Sequence, residues 1–214
     1  MELFNSMKSS ENTNNLHGLL WGPYIHFGEI DSQFAQKLLN EGKKLTKSDD
    51  FSRSLVSKID KTLCYKEEKW LTYGIMPHVK DWISSWNRIT KEGFSPHSAQ
   101  LTRCWINFQN SGEYNPVHTH EFVDLSFVIY LQVPLCIKDE YLKFQKEKSD
   151  TGCPPGSIVF SYGEYNRFSV SARNILPREN KIIMWPSYVR HEVPAFHSEG
   201  TRISVAGNIR FLEE

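Results

Sequence analysis

The sequence predicts an α+β fold in which an antiparallel sandwich or jelly roll carries N-terminal helices on one of its sheets. Hydrophobic residues recur with a helical period before residue 95, whereas short runs rich in β-branched and aromatic residues follow it. A chain of 214 residues has room for one substantial domain and little room for a second. We therefore expect residues 1–214 to form a single domain, with 1–95 as mainly helical support and 96–214 as the jelly-roll core.

Helical patterns dominate the first part of the chain. Asp31 or Ser32 can cap a helix whose apolar residues recur at helical spacing and which ends near Gly42. A second helical pattern with a broad apolar face covers residues 76–89. Residues 51–63 are a shorter helical candidate.

Strand patterns dominate the second part of the chain. Clusters of Gly, Pro, Asn and Ser separate them, as turns separate short antiparallel strands. The charged segment 138–150 is predicted to be a solvated loop or a short helix. The predicted strands cover residues 101–110, 117–133, 157–162, 181–185 and 201–211.

Composition and charge argue against several classes of protein. The chain has 25 Lys and Arg against 25 Asp and Glu, so it lacks the basic excess with which proteins neutralise nucleic acid. No apolar run approaches the ~18 residues of a membrane span, and the first residues lack the apolar core of a signal peptide. The 4 cysteines form no CxxC pair, which argues against a disulfide framework or a zinc–thiolate site. We expect a cytoplasmic protein that binds neither nucleic acid nor membrane.

The first candidate for chemistry is the pair His118 and His120. Side chains two residues apart on a strand point to the same face, about 6.6 Å apart along the backbone, so both imidazoles can converge on one metal ion. A third ligand would have to come from another strand. Two histidines at this spacing also occur by chance, so the pair is a weak signal by itself.

The residues that follow continue the same alternation. On an uninterrupted strand over residues 117–133, one face is apolar and would pack under helices. The opposite face is polar, as a ligand pocket inside a barrel requires. It carries His118, His120, Ser126, Tyr130 and Gln132.

The predicted C-terminal strand shows a similar division. One face is apolar, and the other holds Arg202 among small and polar residues such as Ser204. A guanidinium with space in front of it can bind a carboxylate through two parallel hydrogen bonds. An exposed arginine on an edge strand is the alternative. His191 follows a turn, eleven residues before Arg202. By itself it does not indicate a metal ligand, and it supports one only in combination with the other residues.

The order of these features resembles the iron(II)/2-oxoglutarate-dependent dioxygenase superfamily, and most closely a branch of short oxygenases found in marine bacteria and their phages. The resemblance implies a double-stranded β-helix, with the metal near one open end and with Fe(II) and 2-oxoglutarate as cofactors. It spans residues 101–211, in the segments Trp105-Ile-Asn107, Asn115-Pro-Val-His118-Thr-His120, Ser126-Phe-Val-Ile-Tyr130-Leu, Pro155-Gly156-Ser157-Ile-Val-Phe160, Trp185-Pro186-Ser187, His191 and Arg202-Ile-Ser204.

The resemblance also implies roles for individual residues. His118 and His191 match the two histidine ligands of the metal, and Arg202 matches the basic residue that pairs with the distal carboxylate of 2-oxoglutarate. The usual outcome is hydroxylation of a substrate, here a small molecule or a peptide, while 2-oxoglutarate is decarboxylated to succinate. The polar residues placed to help hold the cosubstrate are Tyr130, Asn107 and Ser204.

The chain departs from the superfamily at one position. The usual motif is HxD or HxE, which completes a triad of two histidines and one carboxylate, but here the third position is His120. A neutral imidazole in place of a carboxylate makes the site one charge more positive, and three histidines also suit zinc. We expect His120 to be the third ligand, with Glu121 and Asp124 as alternatives if a bulge redirects them.

Two other functions are compatible with the same pattern. A cupin would share the barrel and a metal but would not need Arg202 or 2-oxoglutarate. A jelly-roll binding or structural module, for example in a phage particle, would need no metal and would tolerate substitution of His118 and His191. The substrate and the oligomeric state are not specified by the sequence.

Overall fold

The computed structural model describes residues 18–20, 22–66, 69–147, 152–164, 167 and 170–213. Three helices are present in this part of the chain: α1 (Ser32–Lys44), α2 (Lys69–Thr90) and α3 (Leu135–Lys146). The strands are β1 (Gly18–Leu20), β2 (Tyr24–Glu29), β3 (Lys61–Cys64), β4 (Ser98–Asn110), β5 (Asn115–His118), β6 (Leu125–Gln132), β7 (Ile158–Ser161), β8 (Ala172–Ile175), β9 (Lys181–Pro186), β10 (Arg190–Val193) and β11 (Thr201–Leu212).

The strands form two antiparallel sheets, as the predicted jelly roll requires. The larger sheet has 7 strands in the order β1-β2-β9-β6-β11-β4-β3, and the smaller has 4 in the order β5-β10-β7-β8. Strands that are distant in the sequence are neighbours in each sheet, which is the connectivity of a double-stranded β-helix.

Two apolar cores hold these layers together. The first lies between the outer face of the larger sheet and helices α1 and α2, which confirms that N-terminal helices pack on one sheet. The second lies between the two sheets and includes Val128, Phe160 and Trp185. Every second residue of β6 and β11 therefore belongs to the first core, and the residues between them face the inside of the barrel.

The first part of the chain contains more strand than the sequence predicted. β1, β2 and β3 all come from residues before 96 and extend the larger sheet at both of its edges. The helix predicted over residues 51–63 is wrong: this segment has a short 3-10 helix at Ser52–Ser54 and then leads into β3. Thr62 and Leu63 are buried against β4, and this pairing outweighs the weak local helical pattern.

The helix predicted to end near Gly42 continues to Lys44, with Asp31 as its N-cap. Gly42 lies inside the helix because α1 approaches the sheet closely there. A Cβ atom at this position would lie 2.4 Å from the Ile106 side chain. The segment 138–150, predicted to be a loop or short helix, is helical as far as α3 extends, and residues 148–150 lie outside the described residues.

The strand predicted over residues 117–133 is two strands in different sheets. β5 belongs to the smaller sheet and β6 to the larger one, and residues 119–124 connect them. The predicted alternation holds for Ser126 and Tyr130, which face inward, but Gln132 is exposed. The pairing of β6 with β11 shifts register next to Gln132, which places it opposite Ile203 instead of on the inner face.

Candidate metal centre

The centre is built from three histidines that come from different parts of the barrel. His118 ends β5 and His191 lies directly opposite it on β10, so their rings are neighbours with centroids 4.1 Å apart. His120 lies on the connection from β5 to β6, with its ring 5.2 Å from each of the other two. One ligand nitrogen from each residue lies within 4.8 Å of the others, so the three can hold one metal ion.

Hydrogen bonds fix which nitrogen of two of these histidines is free. Nδ1 of His118 lies 2.7 Å from the carbonyl oxygen of Pro116, and Nδ1 of His191 lies 3.0 Å from that of Val189. A carbonyl oxygen only accepts hydrogen bonds, so each Nδ1 carries the proton and donates it. The lone pair of each Nε2 is then free to bind a metal.

His120 is held by ring contacts and by its backbone. Its ring stacks on Trp105 at 6.0 Å with an interplanar angle of 17°, and it also stacks on His191 with an interplanar angle of 14°. The side chain of Asn208 hydrogen-bonds to the His120 ring, and Asn208 itself accepts a 3.0 Å hydrogen bond from Ser126 Oγ. These contacts orient the third imidazole toward the other two.

All three imidazoles are neutral at neutral pH. Burial lowers the pKa of His118, and burial together with the nearby His118 lowers the pKa of His120 to about 4. Burial, with smaller contributions from the other two rings, holds the pKa of His191 well below its usual value. Since a metal binds the unprotonated ring, the fold keeps the centre ready for a cation.

The two acidic residues considered as alternative ligands are directed elsewhere. The Asp124 carboxylate accepts a 2.6 Å hydrogen bond from the backbone N–H of Phe211. Glu121 is exposed. Within the described ranges, the group of three or more potential metal ligands is formed by the histidines alone.

The two segments that carry His120 and His191 are fastened to each other. The His120 N–H donates to the carbonyl oxygen of Ser187 at 3.0 Å, and the Ser187 N–H donates to that of Asp124 at 2.9 Å. The Ser187 hydroxyl also donates to the carbonyl oxygen of Val123. These three hydrogen bonds link the connection from β5 to β6 with the turn before β10.

Arg202 is a buried cation farther inside the barrel. It is 3% exposed, and its Nη1 donates to the carbonyl oxygen of Gly156 at 2.9 Å. Its Nε has no partner among the described residues, and neither has the Tyr130 hydroxyl, whose ring lies 5.9 Å from the guanidinium carbon. Burial raises the pKa of Tyr130 to about 12, so the phenol keeps its proton and can donate it. A carboxylate placed here would satisfy both groups, as 2-oxoglutarate requires.

The structure brings the other predicted cosubstrate residues into the same region. Ser204 on β11 lies between Asn107 on β4 and Tyr130 on β6, so these three form one row across neighbouring strands. The Asn107 side-chain oxygen accepts a 2.9 Å hydrogen bond from Thr62.

Sequence reasoning assigned no role in the site to three residues of this interior. Gln109 lies opposite Arg202, is fully buried, and has a side-chain oxygen without a partner in the described part of the chain. Trp105 supports His120, and Asn208 contacts it. The alternation along the strand could have indicated two of them. Trp105 and Gln109 are each two residues from Asn107, so all three point to the same face, and the apolar residues between them point to the other.

Comparison with known proteins agrees with this geometry. Residues 103–208 match the family model described as "Putative 2OG-Fe(II) oxygenase". No curated protein matches the chain. No helix in the described residues is long and apolar enough to cross a membrane.

Several solved structures share the fold. An oxidoreductase of the 2OG-Fe(II) oxygenase family from Burkholderia pseudomallei has a TM-score of 0.53 and 12% identity, over 87% of this chain and 84% of that one. A prolyl-4-hydroxylase from Pseudomonas putida has a TM-score of 0.53 and 14% sequence identity, over 87% of this chain and 92% of that one. HygX from Streptomyces hygroscopicus, with nickel and 2-oxoglutarate bound, has a TM-score of 0.53 and 10% sequence identity, over 92% of this chain and 84% of that one.

At 10–14% sequence identity, the similarity to solved structures establishes the jelly-roll fold alone. The family model matches the part of the chain that runs from β4 to β11. The matched segment contains each of the candidate site residues described above. Residues 103–208 therefore form the core of an iron(II)/2-oxoglutarate-dependent oxygenase, with Fe(II) and 2-oxoglutarate as its cofactors.

Proposed function

We propose that this oxygenase hydroxylates its substrate, with His118, His120 and His191 as the iron ligands and Arg202 as the anchor of 2-oxoglutarate. The observation that carries the proposal is the combination of three neutral, converging imidazoles with a buried arginine that lacks an anionic partner among the described residues. Neither feature stabilises the protein by itself, because both leave buried polar groups without partners.

Arg202 would bind and orient the cosubstrate. Its free Nε and the Tyr130 hydroxyl can both donate to the distal carboxylate, while Nη1 stays fixed to Gly156. Charge-assisted hydrogen bonds of this kind are roughly twice as strong as neutral ones, and burial strengthens them further. Asn107 and Ser204, in the same row as Tyr130, would line the cosubstrate along its length.

The apolar residues between the sheets would exclude water from the reacting atoms. Phe160 and Trp185 are fully buried beside His191, with ring centroids 6.2 and 4.8 Å from its imidazole. When bound, iron and 2-oxoglutarate would supply the oxidising chemistry together with dioxygen: one oxygen atom of O2 enters the succinate formed as 2-oxoglutarate loses carbon dioxide, and the other is inserted into a C–H bond of the substrate. A dry interior limits loss of the oxidant to water.

Hydroxylation of a small molecule or a peptide is the outcome we propose. It is supported by the prolyl-4-hydroxylase from Pseudomonas putida that shares the fold. We also propose that residues 1–214 act as one domain, because helices α1 and α2 share an apolar core with the larger sheet. The segment order described above supports assignment to the branch of short oxygenases from marine bacteria and phages.

An anaerobic titration tests the proposal. Metal-free protein receives Fe(II) and then 2-oxoglutarate, and the weak visible charge-transfer band of the chelate is followed. We expect the band in the natural protein, none with His191→Ala, and a weaker one with Arg202→Met. The matched control is Arg210→Met, because Arg210 lies on the same strand but is exposed.

Each result has a distinct meaning. Iron binding without a response to 2-oxoglutarate would favour a cupin, and an absence of iron binding would make the histidines structural. A band that weakens equally in both arginine variants would refute the role of Arg202.

A further inference from the structure

The candidate centre carries an unbalanced positive charge. Its three protein ligands are neutral, and within the described ranges no acidic side chain joins them. Together the iron dication and the Arg202 guanidinium exceed the 2-oxoglutarate dianion by one positive charge. A buried charge without a counter-charge is strongly unfavourable, so this site favours the entry of a further anion.

A second positive charge lies at the metal end of the barrel. Arg103 is exposed, and it lies directly opposite Asn208, the residue that hydrogen-bonds to the His120 ring. Its guanidinium carbon lies 5.2 Å from the centre of the Phe51 ring, and that ring contacts Trp105, which stacks on His120. The ion pairs found in the described part of the chain do not include Arg103.

We propose that the substrate is an acid, whose carboxylate or similar compact oxyanion lies beside the iron centre on the side of the barrel that carries Arg103. This inference rests on the proposed function, since the excess charge exists only when iron and 2-oxoglutarate are bound. His120 creates the demand for an anion, because a carboxylate at this position would neutralise the centre. Arg103 fixes the side from which the anion approaches and thereby selects among substrates.

Three acidic residues near the centre could reduce this charge. Glu192 follows His191 on β10 and so points to the opposite face of the smaller sheet, where its carboxylate accepts a 3.2 Å hydrogen bond from Cys153 Sγ. Glu121 is next to His120 in the sequence, but its side chain is exposed and its charge is screened by solvent and salt. Asp124 is exposed too, and its carboxylate is engaged by the Phe211 backbone. A deprotonated water molecule is the remaining alternative source of negative charge, and pH separates it from a bound oxyanion.

Acetate and acetamide are the probes, because they have nearly the same shape and differ in charge. Each is titrated anaerobically, at constant ionic strength and saturating 2-oxoglutarate, into the Fe(II)·2-oxoglutarate complex of the full chain. Binding is followed by the shift of the charge-transfer band and by calorimetry. Persistence of the band shows that acetate has not displaced 2-oxoglutarate.

Three variants separate charge from shape. His120→Asp restores a carboxylate, and its neutral counterpart His120→Asn has the same size. Arg103→Gln removes the second charge without touching the metal ligands. We expect acetate to bind the natural protein at least tenfold more tightly than acetamide, and His120→Asn to keep this preference. We expect His120→Asp to lose it, and Arg103→Gln to weaken acetate by about three- to tenfold, as for a partly screened charge.

The inference fails if acetate and acetamide bind alike, or if His120→Asp binds acetate as tightly as the natural protein does. If the charge-transfer band does not shift when acetate is added but shifts with pH, the negative charge comes from a deprotonated water molecule, and the inference is also overturned. If His120→Asn loses iron, the comparison of Arg103→Gln with the natural protein still decides the question. Absence of any band in the natural protein would instead refute the proposed function.

Discussion

Replacing Tyr130 with Phe is expected to have opposite effects on stability and on binding. The Tyr130 side chain is 1% exposed, and its hydroxyl has no partner among the described residues. A buried polar group without a partner costs ~1–3 kcal/mol, so Tyr130→Phe should raise the free energy of unfolding of the metal-free protein by about 1 kcal/mol or more. The same change removes the hydroxyl that we propose donates to 2-oxoglutarate, and a hydrogen bond to a charged group contributes ~1.5–3 kcal/mol. The affinity for 2-oxoglutarate should therefore fall by about 10- to 100-fold.

Tyr24 supplies a matched control for this experiment. It is also 1% exposed, but its hydroxyl lies 3.2 Å from Nδ1 of His26. Tyr24→Phe breaks that hydrogen bond and should lower the free energy of unfolding by about 1 kcal/mol without changing the affinity for 2-oxoglutarate. Urea unfolding of the metal-free proteins gives the stabilities, and titration of the iron-loaded proteins gives the affinities.

A loss of stability in Tyr130→Phe similar to that in Tyr24→Phe would refute the reasoning, because it would mean that the Tyr130 hydroxyl already has a partner in the metal-free protein. Unchanged binding of 2-oxoglutarate would refute the placement of the distal carboxylate beside Tyr130.

Three further predictions concern the metal centre and the core. The fold keeps the pKa of His120 near 4, below its usual 6.5, so the unfolded chain binds more protons and the metal-free protein should lose stability as the pH falls through this range. The slope is at most about 1.4 kcal/mol per pH unit for each such histidine, and urea unfolding at several pH values, with and without metal, measures it. Binding of Co(II) should quench tryptophan emission, and Trp105→Phe should reduce this quenching whereas Trp86→Phe should not, because Trp105 stacks on His120, the third ligand that we propose. Gly42→Ala should lower the free energy of unfolding by about 1–3 kcal/mol, because its Cβ atom would lie 2.4 Å from Ile106; an unchanged urea midpoint would contradict the close approach of α1.

The sequence predicted the interior of the barrel where alternation was regular. β11 has an uninterrupted period of two from Arg202 to Ala206, so its inward and outward faces could be assigned without a structure. The same method failed at Gln132, where a register shift reverses the faces, because nothing in the local pattern marks the extra residue.

Other features depended on partners distant in the sequence. β3 is a strand because it pairs with β4 about forty residues later, which its own residues do not indicate. The neutral state of the histidines and the unpaired atoms of Arg202 and Tyr130 follow from burial, which appears only when both sheets are assembled. The formal net charge of the chain is zero, and this sum does not show that the folded protein brings the positive charges of Arg202 and Arg103 to the interior and the mouth of one barrel.

The placement of the three histidines has a consequence for motion as well as for chemistry. His118 and His191 belong to the smaller sheet, whereas His120 begins the connection to the larger one. An ion bound by all three would join the smaller sheet to the connection that leads into the larger one, at one rim of the barrel. β5 is an edge strand of four residues whose ladder partner is β10 alone. Amide hydrogens of β5 and β10 should therefore exchange with solvent faster after metal removal, while those in the centre of β11 keep their protection, so that occupancy of the metal site sets how readily this end of the barrel opens.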